Sequence, residues 1–590
     1  MRPSLTSSVA RSHLLLAFLG LLVWSQTIHD GYVDFDTPWM VVDNPVLSQD
    51  GLAAIPDILW GMDFGTRLAL GAEYLPVRDL SVWLDLKLWS HQYRLHHAHN
   101  VALFLVACAL LLELMSALLG RGPRAWLATA FFCVHPVHVE SVAWLVGRKE
   151  CLSGVFVFGG LLAWVRWKGR GRGLIIALGC MLLGCWSKGT AISFPALALL
   201  LWCIHLRMGL DRRSVFPFLG LVVVAGLVLA TAMPLGQEMG FLAERRGGGF
   251  LEGLAVQGQV WLHYIGTVAW PMRLSALYME PSGFSLAGLA TPLGLLAVAL
   301  AALRWRPMVG LGLLWFLAAL MPTSQLVPLQ NLQADRYLFL PLAGLALALG
   351  ALFPSVDLQA PKVRRTSAVI AAVVVMALGS TTWSRAVVWR DSLRLWADVV
   401  DKQPALERGH AALAGVLAAR GQAEEAEEVL GAALQLHPDS ARLYEARGAV
   451  RMTLGTYGPA ERDLRASLSV EPARRKASNN LALLLHRAGK GDEALQVVRL
   501  LVAAHPNYAL GLNTLGTILF DLQRFPEAAE RLSEAAALAP FDPKPICNLG
   551  SAAYRAGTPR RAARAWERCL QLDPANVVAR AGLDRLEGGP

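Results

Sequence analysis

The feature that most constrains this chain is a proline repeated at constant spacing through its last third. The six prolines stand 34 residues apart, at Pro404, Pro438, Pro472, Pro506, Pro540 and Pro574. An Ala or Gly follows each of the first five after ten residues, and an Ala follows after twenty-two. Small residues let two helices cross closely, and proline suits the boundary before the next helix. The pattern therefore predicts a series of helix pairs, one in every 34 residues.

A period of 34 residues is that of the tetratricopeptide repeat. Five repeats, at about 405–574, and a short cap beginning near Asn576 are enough to bury a continuous core. The charge of this part is nearly balanced, with 25 Lys and Arg against 24 Asp and Glu from Asp391 onward. We predict that residues 391–590 form a tetratricopeptide-repeat α-solenoid that folds independently.

The preceding part of the chain is apolar. Charged residues make up 17% of the whole chain and hydrophobic residues 55%, whereas soluble proteins average about 25% charged residues. This composition excludes a wholly soluble enzyme, a disordered tail protein and a coiled coil. Apolar segments occur at 14–23, 100–119, 125–134, 151–165, 174–186, 190–206, 214–235, 256–270, 286–303, 308–327, 337–353 and 367–384. Residues 1–390 are therefore predicted to form a multi-pass, all-α membrane domain, although several segments are shorter than the roughly 20 residues of a comfortable span.

The basic residues predict the topology. Residues 1–390 carry +9 of the net charge of +10, and a basic excess beside apolar segments follows from the positive-inside rule without any nucleic-acid partner. The basic clusters that we assign to the cytoplasm are Arg121/Arg124, Arg166–Arg172, Arg207–Arg213, Arg304/Arg306 and Lys362–Arg365. All of these clusters lie on the cytoplasmic side if segment 256–270, which contains the polar residues Gln257, Gln259 and His263, does not cross the membrane. This predicts about 11 spans and repeats outside the cytoplasm; 12 spans would reverse their side.

The first external loop, at 29–96, is long enough to indicate function rather than connection. Within it, Pro76–Trp89 places apolar residues at helical spacing and predicts an amphipathic helix at the membrane surface. Six of the eight cysteines lie in or beside apolar segments, where cysteine behaves as a small hydrophobe. No disulfide framework is expected.

Asp36 lies in this loop, just beyond the first apolar run. A carboxylate there can deprotonate a hydroxyl group while staying near a substrate carried by a lipid. The alternative interpretation is a solvated acidic loop.

A second polar stretch, residues 132–150, interrupts two apolar runs. Glu140, Trp144 and Arg148 are spaced by four, which predicts that they share one helix face. His135 and His138 with Glu140 are also compatible with a metal site, for which further ligands are missing. A purely structural role is the third interpretation, although polar side chains between spans usually carry function.

Two more polar positions adjoin apolar runs. Lys188 stands at the outer end of a span, where it can hold a phosphate or simply snorkel to the membrane surface. Asp335 and Arg336 offer an acid–arginine pair, which is also compatible with a structural ion pair. The predicted topology puts all four stretches on the same outer face, and this convergence favours a shared site.

These stretches resemble, in order and over nearly the whole chain, the membrane proteins with carboxyl-terminal tetratricopeptide repeats whose animal members are transmembrane O-mannosyltransferases. The matching motifs are His97-Ala-His-Asn100, His135-Pro-Val-His-Val-Glu140 continuing to Arg148-Lys-Glu150, Trp186-Ser-Lys188 and Ala334-Asp-Arg-Tyr337. The resemblance implies a glycosyltransferase of the GT-C superfamily, which takes a sugar from a polyprenyl-phosphate carrier on the non-cytoplasmic face.

The resemblance also implies roles for residues. Asp36 and Glu140 are the implied catalytic residues, with Asp36 as general base. Binding of the donor phosphate or substrate is implied for His135, His138, Arg148, Lys149, Lys188, Asp335, Arg336 and Tyr337. No metal ligand is assigned; a divalent cation is compatible with the sequence but not required by it.

The chain departs from the family pattern at three positions: Thr37 replaces the second acid after the first span, Glu150 replaces an Asp, and Phe104 replaces a His.

From the resemblance we expect a membrane transferase that moves a mannose-like sugar to Ser or Thr of an exported protein, which the repeats bind. The alternative is a non-enzymatic membrane scaffold. The absence of any Asn-x-Ser/Thr sequence and the Ala/Arg/Leu-rich composition favour a bacterial inner membrane with periplasmic repeats.

Overall fold

The computed structural model describes residues 5–29, 31–49, 51–209, 212–239, 249–281, 283–325, 331–353 and 361–587. These residues are helices joined by turns and irregular segments, and no strand occurs among them. The predicted all-α fold class is confirmed. The basic cluster predicted at 207–213 lies partly outside the described residues.

Sixteen helices precede the repeats in the described part of the chain. They are α1 (Leu5–Trp24), α2 (Ala54–Trp60), α3 (Phe64–Ala69), α4 (Pro76–Trp89), α5 (Tyr93–Leu119), α6 (Pro123–Val134), α7 (Val139–Ala143), α8 (Arg148–Arg166), α9 (Arg172–Ser187), α10 (Phe194–Leu200), α11 (Arg212–Glu238), α12 (Phe250–Ala269), α13 (Leu286–Trp305), α14 (Pro307–Leu320), α15 (Phe339–Leu352) and α16 (Pro361–Val388).

The chain forms two compact units. Unit 1 comprises Met1–Ser48 and Leu70–Asp398, and unit 2 comprises Gln49–Ala69 and Val399–Pro590. Part of the first loop, with α2 and α3, therefore belongs to the unit that contains the repeats. Inside unit 2, α3 lies against a repeat helix, and Gly65 approaches the side chain of Pro540.

Six helical segments of the described chain are long and apolar enough to cross a membrane: Val9–Thr27, Tyr93–Leu119, Phe216–Glu238, Leu286–Trp305, Asp335–Leu352 and Arg365–Val388. Three shorter apolar segments accompany them: Arg172–Ser187, Gly189–His205 and Pro307–Thr323. The other two predicted spans, 125–134 and 151–165, overlap α6, which is short, and α8, whose first turn is charged. Every apolar segment predicted from the sequence thus overlaps a helix.

Helix α4 has the predicted bounds and an unusual orientation. Its buried side chains include Arg78, Asp79 and Asp85, whereas Leu84 and Leu88 are exposed. Three charged side chains of α4 thus point into unit 1, while Leu84 and Leu88 point out. An apolar outer face is the arrangement that a helix at a membrane surface requires.

The carboxyl-terminal part consists of α17 and then five helix pairs and a cap, as the proline spacing predicted. The helices are α17 (Ser392–Lys402), α18 (Glu407–Ala419), α19 (Ala423–Leu436), α20 (Ala441–Thr453), α21 (Tyr457–Val470), α22 (Arg475–Arg487), α23 (Gly491–Ala504), α24 (Ala509–Asp521), α25 (Phe525–Leu538), α26 (Pro543–Arg555), α27 (Pro559–Leu572) and α28 (Val577–Glu587). The small residues lie where the paired helices meet: a Cβ atom added to Gly516 would stand 2.5 Å from Leu532, and one added to Gly550 would stand 2.3 Å from Trp566.

A disulfide, which the sequence analysis did not expect, joins Cys547 on α26 to Cys569 on α27, with the two Cα atoms 5.2 Å apart. The two cysteines are 22 residues apart in sequence. They face each other because the tightly packed helix hairpin of the fifth repeat brings these positions together. The other six cysteines are free, as expected for small apolar side chains.

Candidate functional site

The candidate site of unit 1 is built from chain segments that are distant in sequence, and an ion pair between Glu140 on α7 and Arg336 joins two of them. A Glu140 carboxylate oxygen contacts the guanidinium group of Arg336, and the other accepts a hydrogen bond from the Arg336 backbone N–H at 2.9 Å. Both side chains are buried. Glu140 therefore fixes the position of Arg336 through main chain and side chain together.

Trp144 connects this ion pair to the first loop. The guanidinium carbon of Arg336 lies 5.7 Å from the Trp144 ring and 5.3 Å from the Tyr337 ring, at cation–π distances. The indole N–H of Trp144 donates a hydrogen bond to Thr37 Oγ1 at 3.1 Å. Thr37 is the residue next to Asp36, so this contact links Asp36 to the Arg336 region.

The predicted helix through Glu140, Trp144 and Arg148 is wrong. Helix α7 ends at Ala143, Trp144 has an extended backbone, and a 3-10 turn follows at Leu145–Gly147. The chain folds back so closely that a Cβ atom on Gly147 would lie 2.6 Å from the carbonyl oxygen of Glu140. The spacing of four had suggested an uninterrupted helix, whereas this compact turn separates the three side chains.

A second group of charges surrounds Glu73, which lies just before α4. One Glu73 oxygen accepts a hydrogen bond from Lys149 Nζ at 2.9 Å and lies 3.6 Å from Arg78 Nη1. Its other oxygen lies 4.0 Å from Lys188 Nζ, which is 3.7 Å from Glu150 Oε1. We call Glu73, Arg78, Lys149, Glu150 and Lys188 the lysine cluster.

Burial and charge oppose each other in the lysine cluster. Burial would raise the pKa of Glu73, but the charges of Lys149, Lys188 and Arg78 outweigh it and hold that pKa well below its usual range. Burial lowers the pKa of Lys149 to about 8, although Glu73 opposes the shift. Burial also acts against the charge of Lys188, yet Glu73 and Glu150 raise its pKa. The cluster therefore holds charged lysines beside an ionised carboxylate near neutral pH.

Arg336 belongs to the same electrostatic environment, because its positive charge acts against protonation of both Lys149 and Lys188, although the pKa of Lys188 is raised overall. Three buried polar atoms in this part of unit 1 have no hydrogen-bond partner among the described residues: the donors Arg336 Nε and Thr190 Oγ1, and the acceptor Glu150 Oε1. Buried donors are normally paired, so unpaired donors beside two lysines can accommodate an anionic group.

Arg148 lies apart from this cluster, although it precedes Lys149 on α8. Its guanidinium group contacts Asp85 and donates hydrogen bonds to Asn100 Oδ1 at 2.7 Å and to the carbonyl oxygens of Ser81 and His96 at 3.0 and 3.2 Å. The side chain is 1% exposed. This network anchors α4 to α5 and α8, so the geometry favours an anchoring role for Arg148.

The two histidines of the polar stretch 132–150, His135 and His138, do not contact the lysine cluster. Their side chains also have different neighbours. His135 lies 3.1 Å from the carbonyl oxygen of Val268 and accepts a hydrogen bond from the Val137 N–H. His138 is buried among Phe104, Phe132 and Phe339, with ring centroids 4.3–5.4 Å away. Phe104 is one of the family departures, and here it packs on His138.

No group of three or more His, Cys, Asp or Glu side chains converges on a metal-sized site among the described residues. His135, His138 and Glu140, the combination compatible with a metal, have separate partners.

Asp335 and Arg336 do not pair with each other. The Tyr278 hydroxyl donates a hydrogen bond to Asp335 Oδ1 at 2.7 Å, while Arg336 contacts Glu140. Tyr337 donates a hydrogen bond to the Asn331 carbonyl oxygen at 3.3 Å. The short turn Asp335–Leu338 thus directs successive side chains to different partners.

Asp36 is exposed and has a left-handed backbone conformation, with φ of 65°. Asp tolerates this conformation better than most residues. Its carboxylate accepts a hydrogen bond from Trp39 Nε1 at 3.3 Å. The carboxylate is therefore open to a substrate at the surface of unit 1, next to the Thr37–Trp144 contact.

Several residues that surround the predicted ones were not predicted from the sequence. They are Glu73, Arg78, Asp85 and Tyr278. Three of these lie in or beside the amphipathic helix α4, where acidic and basic residues on the face opposite the leucines were the available signal. For Tyr278 we find no comparable signal in the sequence.

The comparisons with known proteins agree with the motifs. Two family models, both described as tetratricopeptide repeat, match residues 407–450 and 445–509. A protein O-mannosyl-transferase of Caenorhabditis elegans is 23% identical over 454 residues, covering 72% of this chain and 63% of that protein. The Mus musculus protein O-mannosyl-transferase TMTC4 is 32% identical over 161 residues, covering 24% of this chain and 21% of that protein. The present chain therefore spans less than two thirds of either relative.

One solved structure, that of the tetratricopeptide-repeat protein YrrB, aligns with 33% of this chain and all of its own, at 15% identity and a TM-score of 0.27. The repeats themselves are established by the family models and the helix pattern. The chain is thus homologous to proteins named protein O-mannosyl-transferase and carries tetratricopeptide repeats, as its motifs indicated.

Proposed function

We propose that this protein is a membrane glycosyltransferase that moves a mannose-like sugar from a polyprenyl-phosphate donor to Ser or Thr of an exported protein. The observation that carries this proposal is the grouping of Lys149, Lys188 and Arg336 with unpaired buried donors. Such a group suits an anionic phosphate, and the homology to named O-mannosyl-transferases supplies the sugar chemistry.

The reaction that we propose is a single displacement. Asp36 accepts the proton of the acceptor hydroxyl as its oxygen attacks the anomeric carbon. The bond from that carbon to the phosphate oxygen breaks, and the phosphate leaves with the bonding electrons. Lys149, Lys188 and Arg336 stabilise the charge that develops there. Glu140 acts as a positioning residue, because its carboxylate holds Arg336.

The repeats would bind the acceptor protein on the non-cytoplasmic face. Support comes from the disulfide between Cys547 and Cys569, because disulfides persist in oxidising compartments and are rare in the cytosol. The disulfide and the distribution of basic residues are independent observations. Both favour repeats on the non-cytoplasmic side of the membrane. A bacterial inner membrane with periplasmic repeats is our proposed location.

One observation favours a second candidate, a non-enzymatic scaffold. Thr37 replaces an acid of the family pattern, and its hydroxyl is buried and bonded to Trp144. A carboxylate is thus missing beside Asp36, and a domain that had lost catalysis would still display the repeats.

The proposed function is tested by glycoproteomics of the extracytoplasmic proteins from cells with and without this protein. We expect particular Ser or Thr residues to lose a hexose in the deletion strain and to regain it when the gene is restored. Unchanged glycosylation, with altered abundance of proteins that co-purify with the repeats, would favour the scaffold instead.

A further inference from the structure

Glu73 occupies the position between the two lysines at which the phosphate of the proposed donor would be held. Its carboxylate contacts Lys149, Lys188 and Arg78, which come from three different segments of unit 1. The side chain of Glu73 is 33% exposed, whereas those of Lys149 and Lys188 are 9% and 11% exposed. Glu73 is thus the most accessible of these three side chains, and its carboxylate lies against both lysines.

The segment that carries Glu73 is short and strained. Glu73 lies in the non-helical segment before α4, and the preceding Ala72 has φ of 56°. A non-glycine residue in the left-handed region is strained, so it persists where surrounding contacts hold it. The contacts of Glu73 with the lysines are such a restraint, and releasing them would let the segment relax.

We infer that Glu73 is a tethered counter-ion that exchanges with the donor phosphate: it neutralises Lys149 and Lys188 in the empty site and is displaced when a lipid phosphate binds. This inference rests on the proposed function, because it names a residue that regulates the same site. The low pKa of Glu73 means that it competes as a full negative charge at neutral pH.

The exchange also bears on product release. The donor is a phosphodiester, whereas the polyprenyl phosphate left after transfer is a monoester with a charge of about −1.5 to −2 at pH 7. A more negative product would stay on the lysines longer than the donor. Return of the Glu73 carboxylate opposes this retention and so favours turnover.

The test is binding of phosphate probes to the full-length protein in lipid nanodiscs. Inorganic phosphate, a polyprenyl phosphate and the uncharged polyprenol are compared on the parent and on Glu73→Gln. We expect Glu73→Gln to bind both phosphates at least about tenfold more tightly, since it removes a like charge at close range. Affinity for polyprenol should not change. Tightening for the polyprenyl phosphate alone would identify the lipid head group as the ligand.

Glu113→Gln is the matched control. Glu113 on α5 also lies among three basic side chains, with Arg166 at 2.8 Å, Arg121 at 3.5 Å and His13 at 3.5 Å. Removing its charge should leave phosphate binding at the parent level. Equal tightening in both variants would show a general charge effect and overturn the inference.

Glu73→Asp keeps the charge on a shorter side chain and guards against a folding defect in Glu73→Gln. We expect intermediate tightening in Glu73→Asp. If folded Glu73 variants bind phosphate no more tightly than the parent, the tethered counter-ion does not exist. If they bind it tightly but neither they nor the parent transfer sugar, the proposed function fails while the exchange stands.

Discussion

At the residue scale, two consecutive basic residues of α8 have different environments. Successive residues of a helix point about 100° apart, so Arg148 faces α4 and α5 while Lys149 faces Glu73. Arg148 is saturated with protein partners, whereas the one side-chain hydrogen bond of Lys149 in the described part of the chain goes to Glu73, whose side chain is 33% exposed. These contacts favour an anchoring role for Arg148, and they are compatible with the phosphate binding that we propose for Lys149.

Phosphate binding should depend on pH through Lys149. Its pKa of about 8 means that the ammonium group is charged below pH 8 and neutral above it. Glu73, Lys188, Arg78 and Arg336 act on Lys149 electrostatically, and the pKa of the other lysine, Lys188, is raised by Glu73 and Glu150 despite its burial. Binding of a polyprenyl phosphate should therefore weaken as pH rises through about 8.

Lys149→Arg provides the check, because arginine stays charged in proteins. Isothermal titrations at pH 6.5, 7.5, 8.5 and 9.5 should show the loss of affinity in the parent and little loss in Lys149→Arg. The same pH profile in both would exclude Lys149 as the titrating group.

Replacing Arg148 should affect stability more than binding. Arg148→Ala would leave Asp85 buried without its cation, which typically costs about 3–5 kcal/mol. Thermal unfolding in detergent should show a much lower Tm for Arg148→Ala than for Lys149→Ala. Comparable Tm values for the two variants would contradict the anchoring role.

The sequence predicted individual site residues only where a motif marked them. Lys188 and Arg336 were predicted in this way, and the structure brings both into the same charged environment. Glu73 was not, because its significance comes from contact with Lys149, 76 residues further along the chain. Pairing across such distances depends on the packing of α4, α8 and α9, which local periodicity does not encode.

At the element scale, the repeats show how periodicity accounts for local structure. The turn inside four of the helix pairs contains a glycine with positive φ: Gly421, Gly455, Gly489 and Gly557. Gln523 occupies the equivalent place in the fourth pair, between α24 and α25, with φ of 60°. A side chain in this conformation is strained, and glycine is not.

Gln523→Gly should therefore stabilise the fourth repeat by roughly 0.5–1 kcal/mol. This value is the strain relieved at the left-handed position minus the extra backbone entropy that glycine loses on folding. Hydrogen exchange of α24 and α25 in the full-length protein measures the change locally. Faster exchange in the variant would show that the Gln523 side chain contributes more than the strain costs.

The helices could be predicted from sequence periodicity, but the points at which a helix breaks could not. The 34-residue period predicted α18 to α28, apolar runs predicted the long helices of unit 1, and amphipathic spacing predicted α4. The break after α7 and the inward charged side chains of α4 result from tertiary contacts, namely the approach of Gly147 to the Glu140 carbonyl and the pairing of Asp85 with Arg148.

At the scale of the whole molecule, we predict that the repeats lie outside the cytoplasm. The positive-inside argument and the disulfide of the fifth repeat support this side. A reporter enzyme that is active only in the cytoplasm should be silent when fused after Pro590, and one active only in the periplasm should work there. Strong activity of the cytoplasmic reporter would reverse the topology.

The central claim is that this chain transfers sugar with Asp36 as the base, and the most direct measurement is sugar transfer by the purified protein. Transfer from a polyprenyl-phosphate mannose to an acceptor protein should fall about 10²–10⁴-fold in Asp36→Asn. Asp34→Asn should match the parent, since Asp34 is also exposed and the hydrogen bonds that anchor it use its backbone N–H and carbonyl. Equal rates for Asp36→Asn and the parent would contradict the role of Asp36 as the general base.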